Sequence, residues 1–364
     1  MNERILRLRK AMSNADIGAS LLYSGADRQF YSGFTGTSGI AVVTAKSLIF
    51  VTDSRYTIQA REQCSTISDE YIIAEKGGAA AIAYIVDVLR DEGISSVWVN
   101  EDMVTYAQYL ALAEAANFVK VERGARAFQS LRSAKTKQEI EIMKQAAQIA
   151  CDAYLAMLES TVVGTTEQEM ANEFERHANA VEGASCAFRI IASGENGAKP
   201  HAIPTDRKIQ YGDLVTVDFG VCYKGYYSDC TRTFAVGEIS HEQEKIYSVV
   251  AQAKALAQKA IRPGAVCGEI DKIARDYITE AGYGQYFGHG LGHGLGLDVH
   301  EFPRLAPGVE DILTEGMVVT NEPGIYIEGF GGVRIEDSLL IDDSPEGHTN
   351  ITAMVPNGLY VKEF

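Results

Sequence analysis

Apolar and polar residues alternate along the first third of the chain with two different periods. Ala19-Ser20-Leu21-Leu22-Tyr23, Gly39 to Val43, Ser47 to Val51 and Val97-Trp98-Val99 read as strands. Ala79 to Leu89 and Thr105 to Ala116 carry apolar residues at helical spacing. Met1 to Leu8 is charged at helical spacing and lacks the apolar stretch of a leader segment. Asp53-Ser54-Arg55-Tyr56 and Gly33 to Gly39 read as turns. The alternation predicts a small α/β domain.

A boundary is expected near residues 125–135, giving an N-terminal domain over 1–128 and a second over 129–364. Thr136 followed by Glu139 is a capping box that opens a long helix. Its apolar positions Ile140, Met143, Ala147, Ala150, Tyr154 and Leu158 predict a core stripe. The second domain then repeats itself at an offset of about 100 residues. Val163-Gly164-Thr165-Thr166-Glu167 leads into a helix ending near Gly183, and Pro263-Gly264-Ala265-Val266-Cys267 into one ending near Gly282. Strand pairs follow both units. A pseudo-twofold domain is predicted, its sheets meeting at a central site.

The strand pairs carry the chemistry. Leu214 to Val221 and Tyr226 to Phe234 flank Lys224-Gly225, and a two-residue turn there places Gly220 opposite Asp229. Asp218 is then the diagonal neighbour of Asp229 on one face, roughly 7–8 Å away by Cα. Two carboxylates so placed repel unless a proton, an arginine or a cation lies between them. Glu322 and Glu336 follow their aspartate counterparts by about 105 residues. Between the pairs, Phe287 to Glu301 sets His289, His293 and His300 among glycines, which let backbone approach a ligand closely. No GK[ST] follows, so a phosphate loop is disfavoured. Four carboxylates and an imidazole suit Mn²⁺, with Co²⁺, Zn²⁺ or Fe²⁺ as substitutes, better than a thiolate zinc site. Two such ions sharing a water would lower its pKa and polarise a carbonyl.

A net charge of −16 disfavours nucleic acid and anionic membrane as partners. No apolar run reaches membrane-spanning length, and a cytoplasmic location is expected. None of the six cysteines forms a C-x-x-C pair, which predicts free, mostly buried thiols.

From Pro200 to Glu336 above all, the chain resembles the creatinase/aminopeptidase family of pita-bread metallopeptidases. The shared motifs are the D-F-G strand with Asp218, Ser228-Asp229-Cys230-Thr231-Arg232-Thr233, the G-H-G-x-G-x-x-x-H-E stretch with His293, E-P-G with Glu322 and R-I-E-D with Glu336. The resemblance implies a small α/β domain followed by a duplicated pita-bread domain. It implies two metal ions, one on Asp218, one on His293 and Glu322, with Asp229 and Glu336 bridging. His201, His289 and His300 match positions around the substrate, and Arg334 and Tyr326 match positions near the site. Glu322 would also carry a proton to the leaving nitrogen.

The implied activity is cleavage of the Xaa-Pro bond at the N-terminus of short proline-containing peptides. Occupied metal positions argue against a metal-free relative or a catalytically dead binding module on this fold, and a broader aminopeptidase is a further alternative. Glu301-Phe302-Pro303-Arg304 resembles short archaeal-type prolidases, where Arg304 would bind the dipeptide carboxylate. Pro307 to Asp311 lacks the arginines of longer prolidases, and the Gly33 to Gly39 and Thr52 to Tyr56 stretches look more like aminopeptidase P. The dipeptidase reading is slightly favoured over aminopeptidase P. Cys186-Ala187-Phe188-Arg189 departs from the Ser-Phe-Asp-Thr-like run of relatives. Relatives are commonly homodimers, so a homodimer is expected.

Overall fold

The computed structural model describes residues 2–363. It divides into two compact units, one ending at Arg132 and the next beginning at Ser133. Among the described residues no helix is long and apolar enough to cross a membrane.

The first unit is a mixed sheet of β1 (Ala19–Leu22), β2 (Ile40–Thr44), β3 (Leu48–Thr52), β4 (Tyr71–Glu75), β5 (Ser96–Val99) and β6 (Lys120–Arg123), in the order β4–β3–β2–β1–β5–β6. With it run α1 (Glu3–Asn14), α2 (Gly25–Ser32), α3 (Thr57–Ser65), α4 (Ala79–Asp91), α5 (Tyr106–Ala115) and α6 (Ala125–Ser133). Strands and helices expected from periodicity are present with ends shifted by one or two residues. Five elements were not expected: α2, α3, α6, β4 and β6. In α2 the buried face includes Asp27, Arg28 and Ser32, so no apolar stripe marks it. Asp27 pairs with Arg132 at 2.8 Å and accepts from Asn100, which satisfies its buried charge.

The second unit is built twice. The first half runs α7 (Lys137–Ser160), α8 (Glu167–Ala178), β7 (Ala184–Ser193), β8 (Leu214–Tyr223), β9 (Tyr226–Tyr227) and β10 (Cys230–Val236). The second runs α9 (His241–Gln258), α10 (Cys267–Glu280), β11 (Gly292–Gly294), β12 (Glu301–Leu305), β13 (Val318–Asn321), β14 (Gly324–Ile327), β15 (Gly331–Arg334), β16 (Asp337–Ile341) and β17 (His348–Asn350). A last strand, β18 (Val361–Lys362), returns to the first sheet, giving β18–β10–β8–β7; the second sheet is β12–β11–β13–β16–β17. The duplication is visible in the loops. The Gly164 N–H donates to the Ile209 carbonyl and the Ile209 N–H to that of Thr165; Gly264, Leu313 and Ala265 repeat both bonds.

The Thr136–Glu139 capping box starts α7, and Met143, Ala147, Ala150, Tyr154 and Leu158 of the expected stripe are buried, with Ile140 half-buried. Tyr154 stacks on Phe219 of β8, ring centroids 4.7 Å apart, a contact worth about 0.5–1.5 kcal/mol beyond area burial. Val215, Val217 and Phe219 face this core, which leaves Thr216 and Asp218 to the other face. Lys224 and Gly225 both have positive φ, 50° and 85°, as a tight two-residue hairpin requires. The register Tyr223↔Tyr226, Phe219↔Cys230 and Asp218↔Thr231 follows, and it sets Asp229 opposite Gly220. The second strand of the hairpin is not continuous, however. It breaks at Ser228-Asp229, where the Ser228 hydroxyl accepts the Val221 N–H at 3.0 Å. The cysteines carry free thiols, four of them buried, with Cys186 and Cys222 half-buried.

Candidate metal centre

Three acids at the centre are held by backbone and side-chain bonds from both halves. The Asp229 carbonyl, in the strand break, accepts the Ser338 hydroxyl at 2.7 Å. Glu336, between β15 and β16, reaches across to the first half: its N–H donates to the Thr231 carbonyl at 3.0 Å, and its Oε2 accepts the Thr231 hydroxyl at 2.7 Å. The Arg232 guanidinium clamps the Glu336 carbonyl and pairs with Asp337 at 2.8 Å. Asp218 accepts Arg334 at 2.7 Å.

His293 sits on β11. Its Nδ1–H donates to its neighbour's carbonyl, Gly294 O at 3.0 Å, so Nε2 is left to face Glu322 at 3.1 Å and Asp229 at 3.7 Å. The Thr320 hydroxyl accepts the His293 N–H at 3.0 Å and donates to Glu322 at 3.1 Å, fixing both. Two glycines of this stretch admit neighbouring strands. A Cβ at Gly292 would lie 2.1 Å from the Thr320 carbonyl oxygen, and one at Gly294 would lie 2.3 Å from that of Phe302. They make His293 part of a sheet interior, while Gly288, Gly290 and Gly292 also line the cavity.

Burial, then the charges of Glu336, Asp218 and Glu322, push the Asp229 carboxyl well above its ordinary value. Glu336 is raised in the same way, by burial and then by Glu322 and Asp218. Burial also raises Asp218, against the pull of Arg334. Glu322 behaves oppositely: burial opposes ionisation, but the hydrogen bond and charge of His293 outweigh it and bring the carboxyl down to about 2. His293 is raised in return, Glu322 overcoming the effect of burial.

One cavity of about 800 Å³ is lined by all eleven residues singled out from the sequence. Ligand atoms of Asp229, His293 and Glu336 lie within 4.8 Å of one another; Asp218 and Glu322 stand just outside that trio, held by Arg334 and His293. Tyr326 bridges the Arg334 guanidinium and His289 Nε2, at 2.9 Å each, and His289 Nδ1 bonds the Gly290 carbonyl at 2.7 Å. His300 packs edge-on against His293, ring centroids 4.4 Å apart. His201 and Arg304 are exposed at the rim. Arg304 lies directly opposite His293 in the β11–β12 register and, among the described residues, has no acidic partner.

Residues 141–343 match Metallopeptidase family M24. The chain belongs to that family. Residues 4–134 match the Creatinase/Prolidase N-terminal domain. The chain is 41% identical to a solved Xaa-Pro dipeptidase from Bacillus anthracis, with TM-score 0.91 and 99% of each chain covered. It is 36% identical to an Xaa-Pro dipeptidase of Pyrococcus horikoshii, over 94% of this chain and 95% of the relative. It is 33% identical to a solved X-Pro aminopeptidase from Thermotoga maritima, with TM-score 0.85, 99% of this chain and 100% of the other covered. The duplicated second unit is thus the pita-bread fold of the M24 peptidases, preceded by a small α/β domain.

The centre fits the divalent ions that the M24 family implies. Asp218 Oδ1 and Glu336 Oε1 are buried without a hydrogen-bond partner, and the raised Asp229 and Glu336 carboxyls need a counter-charge. Sequence reasoning missed the groups that orient these ligands: Thr231, Arg232, Thr320 and the buried pair Lys135–Glu301, 3.3 Å apart. Glu301 accepts the N–H groups of Leu297 and Asp298, holding the loop that carries His300. Alternation sets Thr231, opposite Asp218, on the site face of its strand, and that signal was available; Arg232, opposite Val217, falls on the other face.

Proposed function

We propose that this chain hydrolyses the bond between an N-terminal residue and a following proline in short peptides, as an Xaa-Pro dipeptidase. The observation that carries the dipeptidase reading is Arg304, a guanidinium without an acidic partner at the rim of the cavity, opposite His293. It suits a free carboxylate two residues into a peptide. The relatives named Xaa-Pro dipeptidase support the same reading.

Asp218, Asp229, His293, Glu322 and Glu336 would hold two divalent ions, Asp229 and Glu336 between them. Such ions, manganese first and cobalt, zinc or iron as substitutes, polarise the scissile carbonyl and lower the pKa of a water. Glu322 passes a proton to the proline nitrogen, which carries no N–H in the substrate. Burial lowers the pKa of His289, and burial with the His293 charge lowers that of His300, so both are neutral donors near pH 7. His300 donates to the developing oxyanion. His201 and His289 line the proline pocket; Tyr326 holds His289, and Arg334 holds Asp218.

The deciding experiment compares Xaa-Pro with Xaa-Pro-Yaa on wild type and Arg304→Ala. A lost charge-assisted hydrogen bond costs about 1.5–3 kcal/mol, so kcat/KM for Xaa-Pro falls roughly 10- to 150-fold. Equal loss on both substrates, or none, removes the dipeptidase reading. The second reading, Xaa-Pro aminopeptidase, then stands, favoured by the Thermotoga maritima relative and by a rim that leaves Arg304 exposed. A homodimer in the cytoplasm completes the proposal, and sedimentation and cell fractionation test it.

A further inference from the structure

The end of the chain reaches the metal centre through one buried guanidinium. Strand β10 pairs with β8 on one side and with β18 on the other, Ala235 opposite Val361 and Val236 opposite Lys362. The Ala235 and Gly237 N–H groups donate to the Tyr360 and Lys362 carbonyls, at 2.9 and 3.0 Å. Lys362 Nζ donates to the Leu158 carbonyl near the end of α7, so β18 is pinned by side chain as well as backbone. The stretch before it, residues 352–357, runs past Arg232. Arg232 Nε donates to the Val355 and Pro356 carbonyls, at 3.2 and 3.1 Å. Nη2 donates to the Val355 carbonyl at 2.7 Å and to Asp337 at 2.8 Å. Nη1 donates to the Glu336 carbonyl, and to that of Thr231 at 2.9 Å. Asn357 closes the link: its Nδ2 donates to Asp337 at 2.9 Å, and its carbonyl accepts the Tyr247 hydroxyl at 3.1 Å.

A guanidinium carries its donors in a rigid planar fork, so the acceptors on one edge decide where the other edge lies. The end of the chain supplies the acceptors of Nε and shares Nη2 with Asp337, which aims Nη1 at the Glu336 carbonyl. Arg232 is buried, so a donor that lost its acceptor there would bear its desolvation cost. Thr231 grips the same glutamate by its N–H and its carboxylate. We propose that residues 352–362 form a strap that sets Glu336 for metal binding, with Arg232 as the positioning residue through which the strap acts. The inference rests on the metal assignment proposed above and adds to it a part of the chain that does not line the cavity. Val355 and Leu359 also pack on the cores of the two halves, so simple cover of those cores is the competing role.

The test measures Mn²⁺ affinity by competition with a chelator and stability of the metal-free protein by denaturant unfolding. The variants are Arg232→Lys, Asn357→Ala, Lys362→Ala, Leu359→Ala and the double variant Arg232→Lys with Lys362→Ala. Arg232→Lys, Asn357→Ala and Lys362→Ala should each weaken Mn²⁺ affinity by about 10-fold or more, as when a group that orients a metal ligand is lost. The double variant should stay within about 3-fold of Arg232→Lys alone, because both changes act through one residue. Leu359→Ala removes cover but no bond to Arg232, so it should lower stability and leave affinity within about 3-fold of wild type. Excess Mn²⁺ should restore the activity of Asn357→Ala and Lys362→Ala by mass action. Where Arg232→Lys fails to fold, those two variants keep the guanidinium and still decide. Wild-type affinity in both of them, an equal loss in Leu359→Ala, losses that add in the double variant, or activity that excess Mn²⁺ does not restore overturns the proposal. Glu336→Gln, run alongside, marks the other failure: unchanged Mn²⁺ binding there removes Glu336 from the centre, and the strap's role with it.

Discussion

The two halves of the catalytic unit share a plan but anchor their loops differently. In the first half, Glu167 at the start of α8 accepts Ser193, Asn196 and Thr205, and so fixes the segment that carries His201. In the second half, Cys267 stands at the matching place, and the task falls to Asp271 one turn further along α10. Asp271 accepts the Leu291 N–H at 2.9 Å and pairs with Arg275, whose guanidinium holds the Phe287 and His289 carbonyls. Both devices are buried acids on the second helix of a half, and both position a histidine-bearing loop. The difference teaches that duplication preserved the requirement, a fixed loop beside the candidate metal centre, and not the residue that meets it.

The strongest way to break this symmetry is at the two acids proposed to bridge the ions, one from each half. Asp229→Asn and Glu336→Gln should each lower kcat/KM by at least about 10³-fold and strip both ions, read by kinetics and elemental analysis. If either variant keeps two ions and most activity, the halves do not share the metals.

Next come the loop anchors. Glu167→Ala and Asp271→Ala each leave buried donors unpaired and should cost about 2–4 kcal/mol of stability by denaturant unfolding. Burial raises the Glu167 carboxyl, but the bonds from Thr205, Ser193 and Asn196 outweigh it and hold its pKa below 4.5. A depressed pKa contributes stability that is complete above the ordinary carboxyl value and is lost as pH falls through the folded-state value. Glu167→Gln should therefore flatten the fall in melting temperature below pH 4.5. A variant that unfolds in acid as steeply as wild type would show that Glu167 is not the titrating anchor.

The smallest effect sharpens the comparison at the hydroxyls. Thr231→Ala frees Glu336 across the halves, and Thr320→Ala frees Glu322 within the second. Each should weaken metal affinity by about 10- to 100-fold, measured by competition with a chelator. Loss at Thr320 alone would place the orienting work wholly in the second half.

The convergence of the five candidate ligands was legible because strand alternation and a two-residue turn fix where Asp218 and Asp229 fall, and because motifs surround the others. At Gly292 and Gly294 composition announces close approach, but not that the Thr320 and Phe302 carbonyls are what approaches. In the pairing of β7 with β8, Cys186 lies opposite Val221 and Phe188 opposite Gly220, so Ala187 is a bulge; it leaves no mark in the pattern, because one extra residue in an apolar run looks like none. In the first unit α3 was invisible, since its buried face is Thr57, Ala60 and Cys64, too small and polar to form a stripe. Strand β6, Lys-Val-Glu-Arg at a sheet edge, shows no apolar alternation either.

The position of β7 at the sheet margin has a consequence for change over time. Its outer side completes no ladder, so an insertion or a swapped side chain there disturbs a single neighbouring strand. His293 and Glu322 lie on and beside inner strands hemmed by carbonyls, where one added carbon forces strands apart. The two regions thus tolerate change unequally: the β7 run can be rebuilt at little structural cost, while the glycine-packed interior around His293 resists even a single added carbon.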